Sequence, residues 1–324
     1  MEPLASSTPR TLRLATRGSA LARRQAEVVA ALLAAVGRPT ELVVVTTTGD
    51  RQSGVPVSAM GGQGVFVKEV QVAVAEGRAD LAVHSAKDLP AATPPELVLA
   101  AIPERGDPRD ALVGRSLEDL GPGAEVATGS PRRRAQLARL RPDLRFTELR
   151  GNIATRLSRV PPAGAVAVAA AALARLDLGD RVAEVLDPSV LVPQVGQGAL
   201  AVECRVDDRE VREVLAGVDH RPSRVSVEAE RAFLAAIGGG CDLPLGAYAR
   251  PPSGGRVHLE AILASPDGRR LLRRQGAGSE PGALGRELAV ALVDLDGGRD
   301  LLATGRGEPP ITGEGQASTG GRDG

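Results

Sequence analysis

Three kinds of reactive side chain stand out in the sequence by their type and position. Arginines and serines recur where a strand gives way to a helix, in the strings ATRGS, TGSPRRR and LRGNIATR. Lys87 and Asp88 are adjacent in HSAKDLP, before a proline. Cys241 directly follows three glycines in AAIGGGCDLPLG. These groups predict anion binding, an acid/base pair, and a thiol that acts as a nucleophile or an attachment point.

The arginine and serine strings have the composition of anion sites. Helix N-termini with a capping hydroxyl bind anions through free backbone N–H groups, and guanidinium groups add bidentate contacts. In a doubly wound sheet such sites open together at the carboxyl ends of the strands. Surface salt bridges are the alternative for any single arginine, but an arginine in the first helical turn opposes the helix dipole, which favours a ligand for the set. The set comprises Arg17, Ser19, Ser130, Arg132, Arg133, Arg150 and Arg156.

Lys87 is one of two lysines in a chain whose other cations, apart from histidine, are all arginine. The lysines at positions 68 and 87 are therefore of interest, because a compact ammonium does not replace a planar guanidinium. The spacing of Lys87 and Asp88 is also compatible with a surface ion pair beside a turn. The sequence alone leaves the catalytic and the structural interpretation open.

The two cysteines differ in their surroundings. Cys204 alternates with Leu200, Val202 and Val206, which predicts a buried strand face. The glycines before Cys241 predict an accessible thiol on a bending segment. There is no CxxC, so the sequence suggests neither a disulfide framework nor a zinc site.

The composition bounds the function. The chain has 324 residues, of which 43% are hydrophobic and 25% charged, as in globular proteins. Aromatic residues make up 1% and the formal net charge is +0, so a nucleic-acid or general polyanion binder is not expected. The N-terminus resembles no secretory signal and no window is apolar enough for a membrane span. We expect a cytoplasmic protein with no metal site.

Alternating strand and helix patterns predict two largely parallel, doubly wound α/β units separated by a hinge at IPERGDPRDAL. The segment LVPQVGQGALAVECRV offers a strand that returns to the first sheet. After AGVDHRPS, one helix and several antiparallel-looking strands predict a smaller C-terminal α+β domain. The expected bounds are 10–104 with 198–217 for domain 1, 105–197 for domain 2, 218–306 for domain 3, and disordered tails at 1–9 and 307–324.

Several strings, in this order along residues 11 to 300, resemble the porphobilinogen deaminases (hydroxymethylbilane synthases). HSAKDLP, LRGN-x-x-TR and GGC-x-x-P are the most specific, and ATRGS, TTTGD, GGQGVFVKE, ERGDPRDAL and VGQGALAVECR support them. The resemblance implies two domains like type II periplasmic binding proteins and a third that holds a dipyrromethane cofactor by a thioether. It implies head-to-tail condensation of four porphobilinogen molecules with loss of ammonia, and hydrolytic release of hydroxymethylbilane.

The resemblance also assigns roles to residues. Asp88 matches the catalytic aspartate, and Cys241 matches the cysteine that carries the cofactor. A monomer is implied, with its product passing to uroporphyrinogen III synthase in heme synthesis. The cofactor-binding matches are Lys87, Ser130, Arg132, Arg133, Arg156, Arg175 and Phe66, and the substrate-binding matches are Arg17, Ser19, Arg150 and Arg156.

The sequence departs from the family pattern at five positions. Ala59 and Gln63 stand where relatives often carry lysines. Ala127 and Gly129 stand in the anion loop, where Gly-Thr-Ser-Ser is common, and Ala172 replaces a glycine. We interpret these differences as tuning, because Asp88, Cys241 and the main arginines match.

Two other functions are compatible with parts of the pattern. Two hinged α/β lobes are the design of a non-enzymatic small-anion binding protein, although such a protein has no use for a third domain with a glycine-flanked thiol. A cysteine-nucleophile acyltransferase is the second alternative, and it would need a base near Cys241.

Overall fold

The computed structural model describes residues 10–51, 64, 66–238 and 243–305. In those ranges no helix is long and apolar enough to cross a membrane. The strands are β1 (Leu12–Arg17), β2 (Thr40–Val45), β3 (Leu81–Ser85), β4 (Leu97–Ala101), β5 (Asp110–Gly114), β6 (Glu125–Ala127), β7 (Arg145–Thr147), β8 (Ala165–Ala169), β9 (Val182–Leu186), β10 (Leu200–Arg205), β11 (Leu245–Ser253), β12 (Arg256–Ala264) and β13 (Leu271–Gly278). The helices are α1 (Ala20–Ala35), α2 (Thr48–Arg51), α3 (Lys68–Ala75), α4 (Pro131–Leu140), α5 (Ile153–Leu157), α6 (Ala170–Arg175), α7 (Arg209–Ala216), α8 (Arg221–Ile237), α9 (Pro281–Val290) and α10 (Arg299–Gly305).

The N-terminal sheet has the order β2-β1-β3-β10-β4. β1 runs parallel to β2 and β3, and β10 is antiparallel to both β3 and β4. Its central strands carry continuous apolar runs because helices cover both faces of such a sheet. Leu12, Leu14, Leu81 and Leu200 lie in this core.

The middle sheet repeats this plan with the order β7-β6-β8-β5-β9. β6 is parallel to β7 and β8, whereas β5 is antiparallel to β8 and β9. Every residue of β8, AVAVA, is buried. Each of the two sheets therefore contains one antiparallel strand, and the chain passes between them twice.

The C-terminal sheet is an antiparallel meander of β11, β12 and β13. α8 and α9 pack on it, and their shared core includes Phe233, Leu245, Leu263 and Leu288. The predicted fold class, two doubly wound units and a smaller α+β unit, is confirmed.

Most predicted elements are present, and the helix caps explain where helices begin. The Ser19 hydroxyl accepts a hydrogen bond from the backbone N–H of Ala22 at 3.2 Å, at the start of α1. The predicted return of one strand to the first sheet is confirmed by the pairing of β10. The sequence pattern did not predict β5, β9, α2, α6, α7 or α10. It was also wrong to place Val206 on the buried face, because Val206 lies beyond the end of β10 and is 46% exposed.

The segment Val195–Gly198 contacts residues from all three sheet-containing units. Gly196 has φ +70°, and a Cβ there would lie 3.0 Å from the backbone of Ala86 and Lys87. Gly198 has φ +86°, and its Cβ would lie 2.5 Å from the carbonyl oxygen of Gly106. Glycine is needed at both positions for conformation and for close approach.

Glu230 of α8 fixes this segment from the C-terminal unit. Its carboxylate is fully buried and accepts hydrogen bonds from Arg105 Nη1 at 2.7 Å and Nη2 at 3.1 Å. It also accepts from the backbone N–H of Gly196 at 2.7 Å and of Ala249 at 2.8 Å. All its acceptor positions are therefore used inside the protein.

We expect Glu230→Ala to lower the free energy of unfolding by about 3–5 kcal/mol, because it leaves the Arg105 guanidinium buried and unpaired. Equilibrium urea denaturation measures the change. Glu213→Ala is the control, since among the described residues Glu213 forms one ion pair, with the exposed Arg209, and its loss should cost about 0–1 kcal/mol. Equal effects of the two substitutions would contradict a central role for Glu230.

Candidate functional site

Asp88 closes a 3₁₀ turn, Ala86–Asp88, that directly follows β3. Ala86 and Leu89 are buried on either side of Lys87 and Asp88, which are only partly buried. In the ranges that the structure describes, the Asp88 carboxylate forms no hydrogen bond or ion pair. Its charge nevertheless acts on Lys87 and Arg156, because it favours the protonated form of both.

Lys87 lies in strongly positive surroundings. Burial lowers the pKa of Lys87 to about 8, the charges of Arg133 and Arg132 lower it as well, and Asp88 and Asp110 oppose the shift. Its Nζ is 3.5 Å from Oε1 of the buried Gln197. A negatively charged ligand would therefore stabilise the protonated form of Lys87.

Arg132 and Arg133 begin α4 and are both buried. The Ser130 hydroxyl caps this helix by accepting from the backbone N–H of Arg133. Arg132 donates from Nη1 and Nη2 to Asp110, at 2.8 and 3.1 Å, and Nη1 also donates to the carbonyl of Val192 at 2.7 Å. Arg132 is thus bonded chiefly to internal acceptors.

Arg133 shares the carboxylate of Asp110. Its Nε donates to Asp110 at 2.8 Å, its Nη1 to the carbonyl of Ala167 at 3.1 Å, and its Nη2 to Oε1 of Gln197 at 3.4 Å. Burial disfavours ionisation of Asp110, but the two guanidinium charges outweigh it and hold the pKa of Asp110 well below its ordinary value. One carboxylate therefore compensates two arginines beside Lys87.

Arg150 lies in the LRGN turn and Arg156 follows it. The Asn152 side chain caps α5 by accepting from the backbone N–H of Thr155 at 2.9 Å. Arg156 donates from Nε to the carbonyl of Gly151 at 2.8 Å, and its Nη atoms form no hydrogen bond within the described ranges. Burial and then the charge of Arg133 lower the pKa of Arg156. Arg150 pairs with the exposed Glu148 at 3.0 Å.

Arg175 reaches the same region from the end of α6. It donates from Nη2 to the carbonyl of Gly198 at 2.6 Å, and burial lowers its pKa to about 10. The cations whose charges act on one another, together with Arg175 at the Gly198 carbonyl, form what we call the cationic cluster. It comprises Lys87, Arg132, Arg133, Arg150, Arg156 and Arg175.

A second group lies at the end of β1. Arg17 donates from Nη2 to Asp50 at 2.5 Å and lies 4.2 Å from the centroid of the Phe66 ring. A Cβ on Gly49 would lie 2.1 Å from that ring, so glycine is required for Phe66 to stack here. Burial raises the pKa of Asp50, but hydrogen bonds from Arg17 and Thr47 lower it further than burial raises it.

The two cysteines are placed differently. Cys204 is fully buried in β10, and burial raises its pKa to about 11, which makes it a poor nucleophile. Cys241 lies outside the described residues, as do Ala59 and Gln63. In sequence Cys241 comes four residues after the end of α8 at Ile237.

The structure adds residues that the sequence analysis missed. Gln197, Asp110 and Asp50 were not singled out, although each contacts a predicted site residue. Their strings, VGQG, RDAL and TTTGD, supported the family resemblance, but a buried partner has no local signature of its own.

Three departures from the family pattern lie within the described residues. Gly129 has no room for a side chain, since a Cβ there would lie 2.5 Å from the carbonyl oxygen of Leu149. Ala127 and Ala172 are both buried. The small residues at these positions therefore fit the local packing.

The lowered pKa of Lys87 predicts a pH-dependent contribution to stability. Between about pH 8 and the ordinary lysine value of 10.5, the unfolded chain binds more protons than the folded protein. The free energy of unfolding of the wild type should therefore rise with pH in this range relative to Lys87→Met. Urea denaturation of both proteins without bound anions measures the difference. A constant difference would show that Lys87 titrates normally in the folded state.

Comparison with known proteins identifies the family. The family model described as porphobilinogen deaminase, dipyrromethane cofactor binding domain, matches residues 12–213, and the C-terminal domain model of that family matches residues 225–294. The porphobilinogen deaminase of Acidothermus cellulolyticus is 47% identical over 314 residues, which cover 94% of this chain and 93% of the relative. That of a Roseiflexus species is 46% identical over 301 residues, covering 90% and 99%.

A distant likeness to solved structures accompanies this match. The methionine binding protein MetQ is 14% identical with a TM-score of 0.40, and the match covers 64% of this chain and 89% of MetQ. The family models and the relatives are decisive: the chain belongs to the porphobilinogen deaminase family.

Proposed function

We propose that this chain is a transferase that joins four porphobilinogen molecules head to tail on a dipyrromethane primer and releases hydroxymethylbilane by hydrolysis. The observation that carries the proposal is the cationic cluster around the Asp88 carboxylate. Family membership makes a porphobilinogen deaminase the favoured function, and a non-enzymatic anion-binding protein is not favoured.

The charge of the cluster fits a polyanionic chain of pyrroles. Each porphobilinogen carries two carboxylates, so the negative charge of the bound chain grows with every ring added. Lys87 and Arg156 both have lowered pKa values. Removal from water is the larger cause, and the charges of neighbouring arginines add to it. Carboxylates of the ligand would relieve this repulsion and form charge-assisted hydrogen bonds.

The arginines differ in how readily they can accept a ligand. Arg156 and Arg150 offer Nη donors that internal acceptors do not saturate, whereas Arg132 and Arg133 are largely committed to Asp110. We assign Arg156 and Arg150 to direct carboxylate contacts. Arg132 and Arg133 then act mainly through their charge and through their bonds to Asp110.

The family resemblance supports roles for both groups of residues. The proposed cofactor-binding residues are Lys87, Ser130, Arg132, Arg133, Arg156, Arg175 and Phe66, of which Arg132 and Arg133 act mainly through their charge, and the proposed substrate-binding residues are Arg17, Ser19, Arg150 and Arg156. Arg17 must share its guanidinium between a substrate carboxylate and Asp50. The stacked Phe66 ring keeps the plane of that guanidinium fixed while one edge remains available.

Asp88 performs the proton chemistry in this proposal. When bound, the dipyrromethane supplies a nucleophilic free α-carbon on its terminal ring. Loss of ammonia from the incoming porphobilinogen leaves a cationic pyrrole, which the Asp88 carboxylate stabilises. After the carbon–carbon bond forms, Asp88 accepts the proton released from the α-carbon. Its freedom from internal partners among the described residues suits both tasks.

The domain bounds and the cellular setting complete the proposal. We propose that 10–104 with 198–217, 105–197 and 218–306 fold as three domains, of which the third carries the thiol. The protein acts in the cytoplasm as a monomer and passes its product to uroporphyrinogen III synthase.

We expect Asp88→Asn to retain the loaded cofactor but to lose turnover. The amide keeps the size of the side chain and removes the charge that stabilises the cation and takes the proton. Single-turnover measurements of ring addition should show a loss on the order of 10²–10⁴-fold, the usual contribution of a general acid/base. Near-normal product formation would assign Asp88 a structural role only.

Intact mass spectrometry tests the proposed function itself. The purified wild type should carry an adduct of two pyrrole units, and limiting substrate should add further steps of one ring each. Cys241→Ser should lack the adduct or load it poorly, since an alcohol is a far weaker nucleophile than a thiolate. Cys204→Ser is the matched control and should keep it. An active wild type without an adduct, or an adduct on Cys204, would overturn the proposal.

A further inference from the structure

The helix that leads toward Cys241 also packs against the turn that carries Asp88. Val227 of α8 belongs to a buried cluster with Ala86 and Leu89, the residues on either side of Lys87 and Asp88. Val227 is fully buried, and Ala86 and Leu89 are 2% and 5% exposed. One face of α8 therefore shares a buried apolar cluster with the residues that flank Lys87 and Asp88.

Arg231 lies one helical turn after Val227 and extends the same face. Its Nη2 donates to the carbonyl of Pro90 at 2.9 Å and to that of Ala91 at 3.0 Å. These carbonyls belong to the segment that leaves the Asp88 turn. Packing holds the turn on both sides of Asp88, and Arg231 fixes the direction in which the chain leaves it.

The charge of a buried carboxylate acts on Arg231. Glu203 of β10 is fully buried, and its charge favours the protonated form of Arg231 against the effect of burial. Gln71 donates to Glu203 at 2.8 Å, and His84 Nε2 lies 3.2 Å from the same carboxylate oxygen. His84 is in β3, four residues before Asp88, so Glu203 contacts the strand that leads into the Asp88 turn.

We propose that Arg231 is a positioning residue that fixes the Asp88 turn to the helix leading to the cofactor-bearing thiol. The inference rests on the proposed function, in which Asp88 moves protons and Cys241 anchors the primer. Each ring addition requires the Asp88 carboxylate to be held against the two rings that react, so the turn that carries it must keep a fixed position. Both hydrogen bonds come from one nitrogen, Nη2, whose two protons can be directed at the two successive carbonyls.

Arg231→Met in the loaded enzyme tests the proposal, because methionine keeps much of the apolar stem and removes the donors. We expect kcat to fall on the order of tenfold to a hundredfold, the loss associated with misplacing a reacting group by about an ångström. KM should change by less than about threefold, since the predicted carboxylate grips remain. Arg231→Lys, which can still reach one carbonyl, should recover a large part of kcat and gives a second readout if the methionine variant folds poorly.

Arg224→Met is the matched control. Arg224 is on the same helix and also donates to carbonyls of the N-terminal unit, to Ala100 at 2.8 Å and Leu99 at 3.4 Å, but these are in β4 and not beside Asp88. The Arg224→Met variant should unfold at a lower urea concentration than the wild type but keep the wild-type kcat. An equal fall in kcat for both variants, or unchanged kcat in Arg231→Met, would overturn the inference. Intact mass spectrometry of the wild type and each variant separates failure of the Arg231 inference from failure of the proposed function. The latter would show as a wild type without the two-ring adduct.

Discussion

The buried carboxylate of Glu230 is the constraint on which the arrangement of the three units depends. It accepts from Arg105, from the backbone of Gly196 and from the backbone of Ala249, which belong to three separate parts of the chain. A buried carboxylate with all its acceptor positions filled tolerates little displacement, because any lost bond leaves a charged group unsatisfied. The position of the segment Val195–Gly198 is set in this way. That segment in turn passes within contact of Lys87 and places Gln197 between Lys87 and Asp110.

The cationic cluster carries more positive charge than the carboxylates beside it neutralise. Asp110 alone serves both Arg132 and Arg133, while Lys87 and Arg156 face Asp88 without an ion pair among the described residues. Such an arrangement costs stability in the free protein, and the lowered pKa of Lys87 is a sign of that cost. A polyanionic ligand offsets it, so folding and ligand binding are linked through the same charges.

The sequence predicted the fold class and most elements because the apolar runs, caps and turns that define them are local. Ser19, Ser130 and Asn152 each stand where a capping residue is expected, and each caps a helix. β5 and β9 were missed because DALVG and VAEVL are only five residues long and each includes a carboxylate, and their strand character comes from pairing with distant strands. Asp110, in RDAL, is the clearest case at the site. Only the approach of α4 shows that a carboxylate next to a hinge is the partner of two arginines.

Arginines that occur in similar sequence patterns do not all have the same role in the structure. SPRR and LRGNIATR both place arginines near a helix start, and family resemblance assigns all of them to ligands. In the structure Arg132 is 3% exposed and bonded to Asp110 and Val192, whereas Arg156 keeps its Nη atoms free of internal bonds in the described ranges. Removing Arg132 would leave the Asp110 charge short of a partner inside the protein, so its effect on binding would include a loss of structure. Removing Arg156 would take away donors that the protein itself does not use, and its effect would fall mainly on the ligand.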